Sequence, residues 1–172
     1  MSSPHSAETL LIEGPDAGAF AQAQFSSPVT SLPVGEWQFS AWLDSQGRVR
    51  TLFHLARIDS ERYLLLLRGG VAVDMVDALR RFIFRARLTL TALPLRHLST
   101  GMAMPLHAIA IDEETIVLGC DTHSMQITDT GLSDDAWRLP QLHSGWPWLP
   151  TSTLNSWLPA ALSLQRLQAV AV

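Results

Sequence analysis

The sequence predicts an α+β protein in which helices pack on mostly antiparallel sheet, and three observations carry that prediction. Trp37, Phe39, Ala41 and Leu43 alternate with Gln38, Ser40 and Trp42, then turn at Asp44-Ser45-Gln46-Gly47 into a second strand-like run. Residues 71–84 hold the best amphipathic helix pattern in the chain. After residue 106, three short apolar runs are separated by turn-forming residues. At 172 residues the chain is expected to form a single domain over 1–172, long enough to bury about two-thirds of its unfolded surface.

Each element has a local justification. Leu10, Leu11 and Ile12 form an apolar strand that Gly14-Pro15-Asp16 breaks. Pro15 suits a first helical turn and Asp16 puts negative charge near a helix N-terminus, so residues 17–24 read as a small-residue helix anchored by Phe20. The hairpin follows, because Gly47 takes positive φ without steric cost, and Val49, Thr51, Phe53 and Leu55 run back as its partner strand. Residues 63–67 form a third strand, ended by Gly69-Gly70. The 71–84 helix has its apolar stripe at Val71, Met75, Val76, Leu79, Phe82 and Ile83, with Asp74 and Asp77 early and arginines late. Residues 87–93 alternate as a strand. Residues 106–111, 115–118 and 125–128 read as an antiparallel meander. A short helix is expected over 133–143 with Asp134 and Asp135 in its first turn and Gly145 ending it. Trp146-Pro147-Trp148-Leu149-Pro150 is then extended, and 153–167 is helical in pieces, interrupted by Pro159.

Composition narrows the function classes. Net charge is −4, hydrophobic content 47% and charged content 16%. The last value is low against the quarter typical of soluble domains and suggests apolar surface covered by a protein partner or a second copy of the chain. No run approaches the roughly 20 apolar residues of a membrane span, and the N-terminus has no signal-peptide pattern, so a cytoplasmic protein without a membrane partner is expected. Arg80, Arg81, Arg85 and Arg87 form the one basic cluster. It reads either as a solvated helix end or as an anion site, and the acidic balance argues against nucleic acid. The single cysteine, Cys120, excludes an internal disulfide and a multi-cysteine metal site and reads as an inert buried thiol. Histidines at 97, 107, 123 and 143 lack metal-ligand spacing, so no metal is expected. The tryptophans at 137, 146, 148 and 157 read either as core and lid residues or as the lining of an apolar slot for a flat ring.

One resemblance adds to these readings. Gly14-Pro15-Asp16-Ala17 followed by Phe20, Gln22 and Gln24, and then Asp44-Ser45-Gln46-Gly47-Arg48-Val49, resembles the YgfZ-type folate-binding proteins, relatives of the glycine-cleavage T-protein, an aminomethyltransferase. In that family a GPDA-x-x-F-x-Q-x-Q helix start and a D-x-x-G-R-V hairpin frame one side of a tetrahydrofolate pocket. Leu142-His143-Ser144-Gly145-Trp146-Pro147 resembles the family's I-E-A-G-I-P turn, and residues 157–164 resemble F-I-P-Q-x-x-N-L. The resemblance implies a T-protein/YgfZ folate-binding-domain fold with a trimmed second half, tetrahydrofolate or a related folate as ligand, and a setting in iron–sulfur cluster assembly or repair.

The departures from the family pattern matter as much. The glutamate that grips the pterin in family members is His143 here, the family aspartate is Pro28, and the family Gln and Asn are Ala160 and Ser163. The chain ends where the K-G-C-Y-x-G-Q-E motif would follow, and the C-terminal barrel is not in this sequence. The resemblance therefore implies a non-catalytic or degenerate folate-binding-like protein, and catalytic residues are not assigned. Expected ligand contacts are Gln24, Ser26, Trp42, Arg48, His143 and Trp148, with Arg48 the anion partner through its bidentate fork. The alternatives are a protein-interaction or homodimer module with a dead pocket, and an aminomethyltransferase, which the changes at Pro28 and His143 disfavour.

Overall fold

The computed structural model describes residues 6–130 and 136–171. Ten strands form two five-stranded sheets in which every pairing is antiparallel. The first sheet holds β2 (Thr9–Glu13), β3 (Trp37–Leu43), β4 (Val49–Arg57), β5 (Arg62–Leu67) and β6 (Thr89–Ala92) in the order β3-β4-β5-β2-β6. The second holds β1 (Ser6–Ala7), β7 (Arg96–Gly101), β8 (Ile109–Ile111), β9 (Thr115–Gly119) and β10 (Ser124–Thr128) in the order β1-β7-β10-β9-β8. The α-helices among the described residues are α1 (Ala17–Gln24), α2 (Ala72–Leu79) and α3 (Arg138–His143).

The first sheet is buried on both faces, and this explains its sequence. Leu10, Phe53, Leu55, Tyr63, Leu65 and Leu67 share one apolar cluster with Phe20 of α1 and Met75, Val76 and Leu79 of α2. Trp37, Phe39, Leu52, Ala56, Leu64 and Leu66, on the opposite face, share a second cluster with Leu98, Ile116, Leu118, Met125 and Ile127 of the other sheet. The layers therefore run helices, sheet, sheet. A strand covered on both faces reads as a continuous apolar run, as Tyr63-Leu64-Leu65-Leu66-Leu67 does. The indole N–H of Trp37, donated to the Gly119 carbonyl at 2.9 Å, ties the two sheets together through their shared core.

The predicted helix 17–24, the 63–67 strand and the three-stranded meander are present within a residue or a few of their expected bounds. In the hairpin turn, Asp44 accepts the backbone N–H groups of Gln46 and Arg48 at 2.8 and 2.9 Å, and Gly47 has φ +77°. These hydrogen bonds, that of Arg48 first, lower the Asp44 pKa. The register shifts between Trp42 and Leu43, so Val49 faces the second sheet while Phe53 and Leu55 face the helices.

Three expectations are corrected, and one strand was not expected. The 71–84 helix stops at Leu79 and tightens into a 3-10 turn at Arg80–Phe82, which takes Phe82 off the buried stripe and leaves it 42% exposed. The arginines at 80, 81, 85 and 87 are all exposed around this end, and Arg80 pairs with Asp77, as a solvated helix terminus requires. The 133–143 helix begins at Arg138, and Asp134 and Asp135 lie outside the described residues. Between residues 151 and 167 the described helical structure is 3-10, at Thr151–Thr153 and Pro159–Leu162. Strand β7, central in its sheet, has Leu98 as its one buried apolar residue and carried no alternation strong enough to predict.

Gly69 decides where the second half of the chain lies. It has φ +112°, and a Cβ there would sit 1.6 Å from the Leu149 carbonyl oxygen, so residues 146–150 can lie against the end of β5 only over a glycine. Gly69→Ala is expected to cost on the order of 3 kcal/mol in denaturant unfolding. Gly47→Ala, strained at φ +77° but facing open space, should cost about 1 kcal/mol.

Candidate functional site

The residue that organises the second half of the molecule follows directly on β5. In the period-two pattern Leu64 and Leu66 face the second sheet, and Arg68 continues that face into the interior, where it is fully buried. Its Nε donates to the Pro147 carbonyl at 2.6 Å and its Nη2 to the Trp146 carbonyl at 3.1 Å. Its Nη1 donates to Gln141 Oε1 at 2.7 Å and to His54 Nε2 at 3.0 Å. The Trp148 and Phe39 rings lie 5.1 and 5.8 Å from its guanidinium carbon. These acceptors are all neutral, and no carboxylate pairs with Arg68 among the described residues. Burial accordingly pushes its pKa down to about 9.

The neighbours are fixed in their protonation states by this cation. Because a guanidinium only donates, His54 Nε2 must accept, and the ring proton sits on Nδ1. That N–H is buried without a partner. Burial first, and the Arg68 charge second, hold the His54 pKa well below its usual 6.5. Gln141, with its oxygen turned to Arg68, offers its amide N–H to His123 Nε2 at 2.8 Å, and burial lowers the His123 pKa as well. Cys120 is buried beside this network, its thiol pushed up to about 11 by burial, as expected of an inert thiol.

Arg68 forms part of the wall of a slot of about 650 Å³. Trp137, Trp146, Trp148 and Trp157, the four tryptophans singled out in the sequence, all line it, with Arg138. α3 brings Trp137 and Gln141, the Arg68-bound segment brings Trp146 and Trp148, and the turn after Thr151–Thr153 brings Trp157. Trp137 and Trp148 pack at 4.8 Å between ring centroids, and the Arg138 guanidinium carbon lies 5.4 Å from the Trp137 ring. The Trp137 indole N–H is buried with no acceptor. The lining is mainly apolar and, among the described residues, includes no aspartate or glutamate.

The six contacts expected from the sequence do not converge. Trp148 lines the tryptophan slot. Gln24 and Trp42 line a separate, more polar cavity of about 710 Å³ beside the hairpin, where the Arg50 guanidinium carbon lies 4.1 Å from the Trp42 ring. Ser26 is structural: its hydroxyl accepts the Ala41 N–H at 3.0 Å and donates to the Ala169 carbonyl at 2.5 Å. Gln22, in the same motif, accepts the N–H groups of Val29 and Thr30. Arg48 is exposed at the hairpin, and His143 is exposed at the end of α3 and lines neither cavity. Sequence reasoning passed over Arg68, His54 and Gln141. The first was legible in the Leu64, Leu66, Arg68 alternation, whereas nothing local marks the other two.

Comparison with known proteins agrees at the level of fold. The structure of the glycine cleavage system aminomethyltransferase T from Bartonella henselae matches with a TM-score of 0.62 at 17% identity, over 72% of this chain and 41% of that one. The fold is T-protein-like. A curated protein of Haemophilus influenzae, described as uncharacterised, is 24% identical over 166 residues, 94% of this chain. The chain spans 59% of that relative's length. No family model matches. No helix among the described residues is long and apolar enough to cross a membrane.

Two outcomes follow from the buried network. The unfolded His54 takes up a proton near pH 6.5, and the folded one only far below it. The unfolded state therefore binds more protons as pH falls through that value, so this contribution to stability is complete above it and declines below. His54 alone should remove up to about 1.4 kcal/mol per pH unit in urea unfolding; a flat profile between about pH 7 and 5 would contradict a neutral buried His54. Cys120 should resist thiol reagents at mildly alkaline pH until denaturant exposes it.

Proposed function

We propose that this protein is a non-catalytic, YgfZ-type binder of tetrahydrofolate or a related flat heterocycle, with a trimmed second half and the tryptophan slot as its binding site. The observation that carries this reading is the convergence of Trp137, Trp146, Trp148 and Trp157 on one slot in a T-protein-like fold. Aromatic walls offer a planar ligand large apolar contact at small entropic cost. Pro28 and His143, where the family pattern has aspartate and glutamate, and the exposure of His143 away from the slot favour binding over aminomethyl transfer. An iron–sulfur assembly or repair setting is supported by the YgfZ-type resemblance alone.

A second reading, a protein-interaction or homodimer module, is favoured by a specific observation. Leu139, Leu142, Trp157 and Leu158 are all exposed, and Leu142 and Trp157 lie at the slot.

Titration of the protein with tetrahydrofolate, followed by tryptophan fluorescence and calorimetry, tests the first reading. Saturable binding on the order of micromolar that Trp148→Leu weakens and Arg48→Ala leaves intact is the expected result. Loss in Arg48→Ala with Trp148→Leu unaffected would move the ligand to the hairpin side. Absence of binding, with a dimer by light scattering, would favour the interaction module.

A further inference from the structure

We propose that the cavity of about 710 Å³ beside the hairpin is a second ligand site, for an uncharged nucleobase or nucleoside recognised by its ring and its hydrogen-bonding edge. The cavity is separate from the tryptophan slot, and the inference does not depend on what the slot binds.

Three features that the scaffold leaves without a role meet at this cavity. The first is Gln24. Of the two glutamines that follow Phe20, Gln22 is occupied by the N–H groups of Val29 and Thr30, whereas the Gln24 carboxamide has no hydrogen-bond partner among the described residues. The second is Phe82. The 3-10 turn at Arg80–Phe82 takes it off the buried stripe, and it lines the cavity 42% exposed, its ring centroid 6.2 Å from that of Trp42. The third is Asn155. Its backbone N–H donates to the Val49 carbonyl at 2.9 Å, while its carboxamide has no partner among the described residues. The end of α1, the turn after α2 and the segment after Thr151–Thr153 thus each bring one of these residues to the hairpin. There Trp42 and Arg50, stacked at 4.1 Å, line the same cavity.

The lining selects the class of ligand. A carboxamide presents an acceptor beside donors, and it pairs edge to edge with a ring that offers a donor beside an acceptor, as adenine does. A phenyl ring and an indole–guanidinium stack are the surfaces on which bases pack without regard to sequence. Charge does not select for an anion. Arg50 and Asp44 both line the cavity, so a phosphate placed there gains from one what it loses to the other. The volume is in the range of small-molecule sites and is ample for a nucleoside.

The test is saturation-transfer NMR and calorimetry on the full chain with four probes: adenosine, its N-dimethylated analogue, adenosine monophosphate and 6-hydroxymethylpterin. Adenosine is expected to bind saturably. The dimethylated analogue lacks the amino donor and should bind roughly tenfold more weakly. The monophosphate should bind no more tightly than adenosine. Gln24→Leu and Phe82→Leu alter side chains that make no hydrogen bond, so both should keep the melting temperature. The first should narrow or remove the preference for adenosine over its analogue; the second should weaken both ligands several-fold and leave their ratio unchanged. Trp148→Leu, in the slot, should leave adenosine binding as it is. Failure of adenosine to bind, an analogue that binds as well, a preference untouched by Gln24→Leu, or binding lost in Trp148→Leu would overturn the inference. A monophosphate that binds much more tightly would also overturn it, by making the cavity an anion site. So would 6-hydroxymethylpterin displacing adenosine at lower concentration, which would give the cavity to the folate instead.

Discussion

The structure of the second half depends on one buried cation. Removing a guanidinium from water costs several kcal/mol even after relaxation, and here no carboxylate among the described residues repays it. Repayment comes from two backbone carbonyls, a glutamine oxygen and a histidine nitrogen, arranged around a planar fork. Only arginine presents enough donors in fixed geometry to hold all four; a lysine in its place would satisfy fewer and leave carbonyls orphaned. The segment around residues 146–149 therefore takes its path from Arg68. The hydrogen bond from the Leu149 N–H to the Arg68 carbonyl at 2.8 Å and the glycine at 69 complete the junction. The aromatic walls of the slot are where they are because that segment is clamped there.

The clamp works because the sheet beneath it is buried on both faces. Strands β4 and β5 have helices on one side and a second sheet on the other, so a residue added to the end of β5 stays in the interior on one face or the other. This also explains which elements were legible from the sequence. The α1 helix, the hairpin and the meander declare themselves through local signals: a Gly-Pro-Asp start, an Asp-to-Gly turn, short runs between turn residues. The division into two sheets was not legible, because Tyr63-Leu64-Leu65-Leu66-Leu67 is equally apolar on both faces and nothing in it says what each face meets. Strand β7 was missed for the opposite reason, since a sequence of Arg, His, Leu, Ser, Thr and Gly becomes a central strand only through its neighbours.

The motif residues and the slot residues divide along the same line. Gln22, Asp44 and Gly47, which carry the family resemblance, are occupied in holding loops and turns beside the first sheet. A motif of this kind identifies a scaffold, because a hydrogen bond that fixes a turn is satisfied within a few residues and leaves a short, readable pattern. The slot draws on residues between positions 68 and 162, and no local pattern can encode such a meeting. The tryptophans were visible as a composition; their convergence is a tertiary fact.

The protonation pattern around Arg68 follows from the same cation by elimination. The guanidinium must donate, so Gln141 must turn its oxygen inward; its NH₂ then faces His123 Nε2, which must be unprotonated to accept. The His123 ring proton is left on Nδ1, 3.2 Å from the Thr122 hydroxyl, which can receive it. A second proton on His123 would set a donor against the Gln141 amide. Rotating that amide to accommodate it would turn its NH₂ toward Arg68, donor against donor. Burial and the hydrogen-bond pattern thus push in one direction, and the network around Arg68 is held in a single pattern of donors and acceptors from His54 through Arg68 and Gln141 to His123.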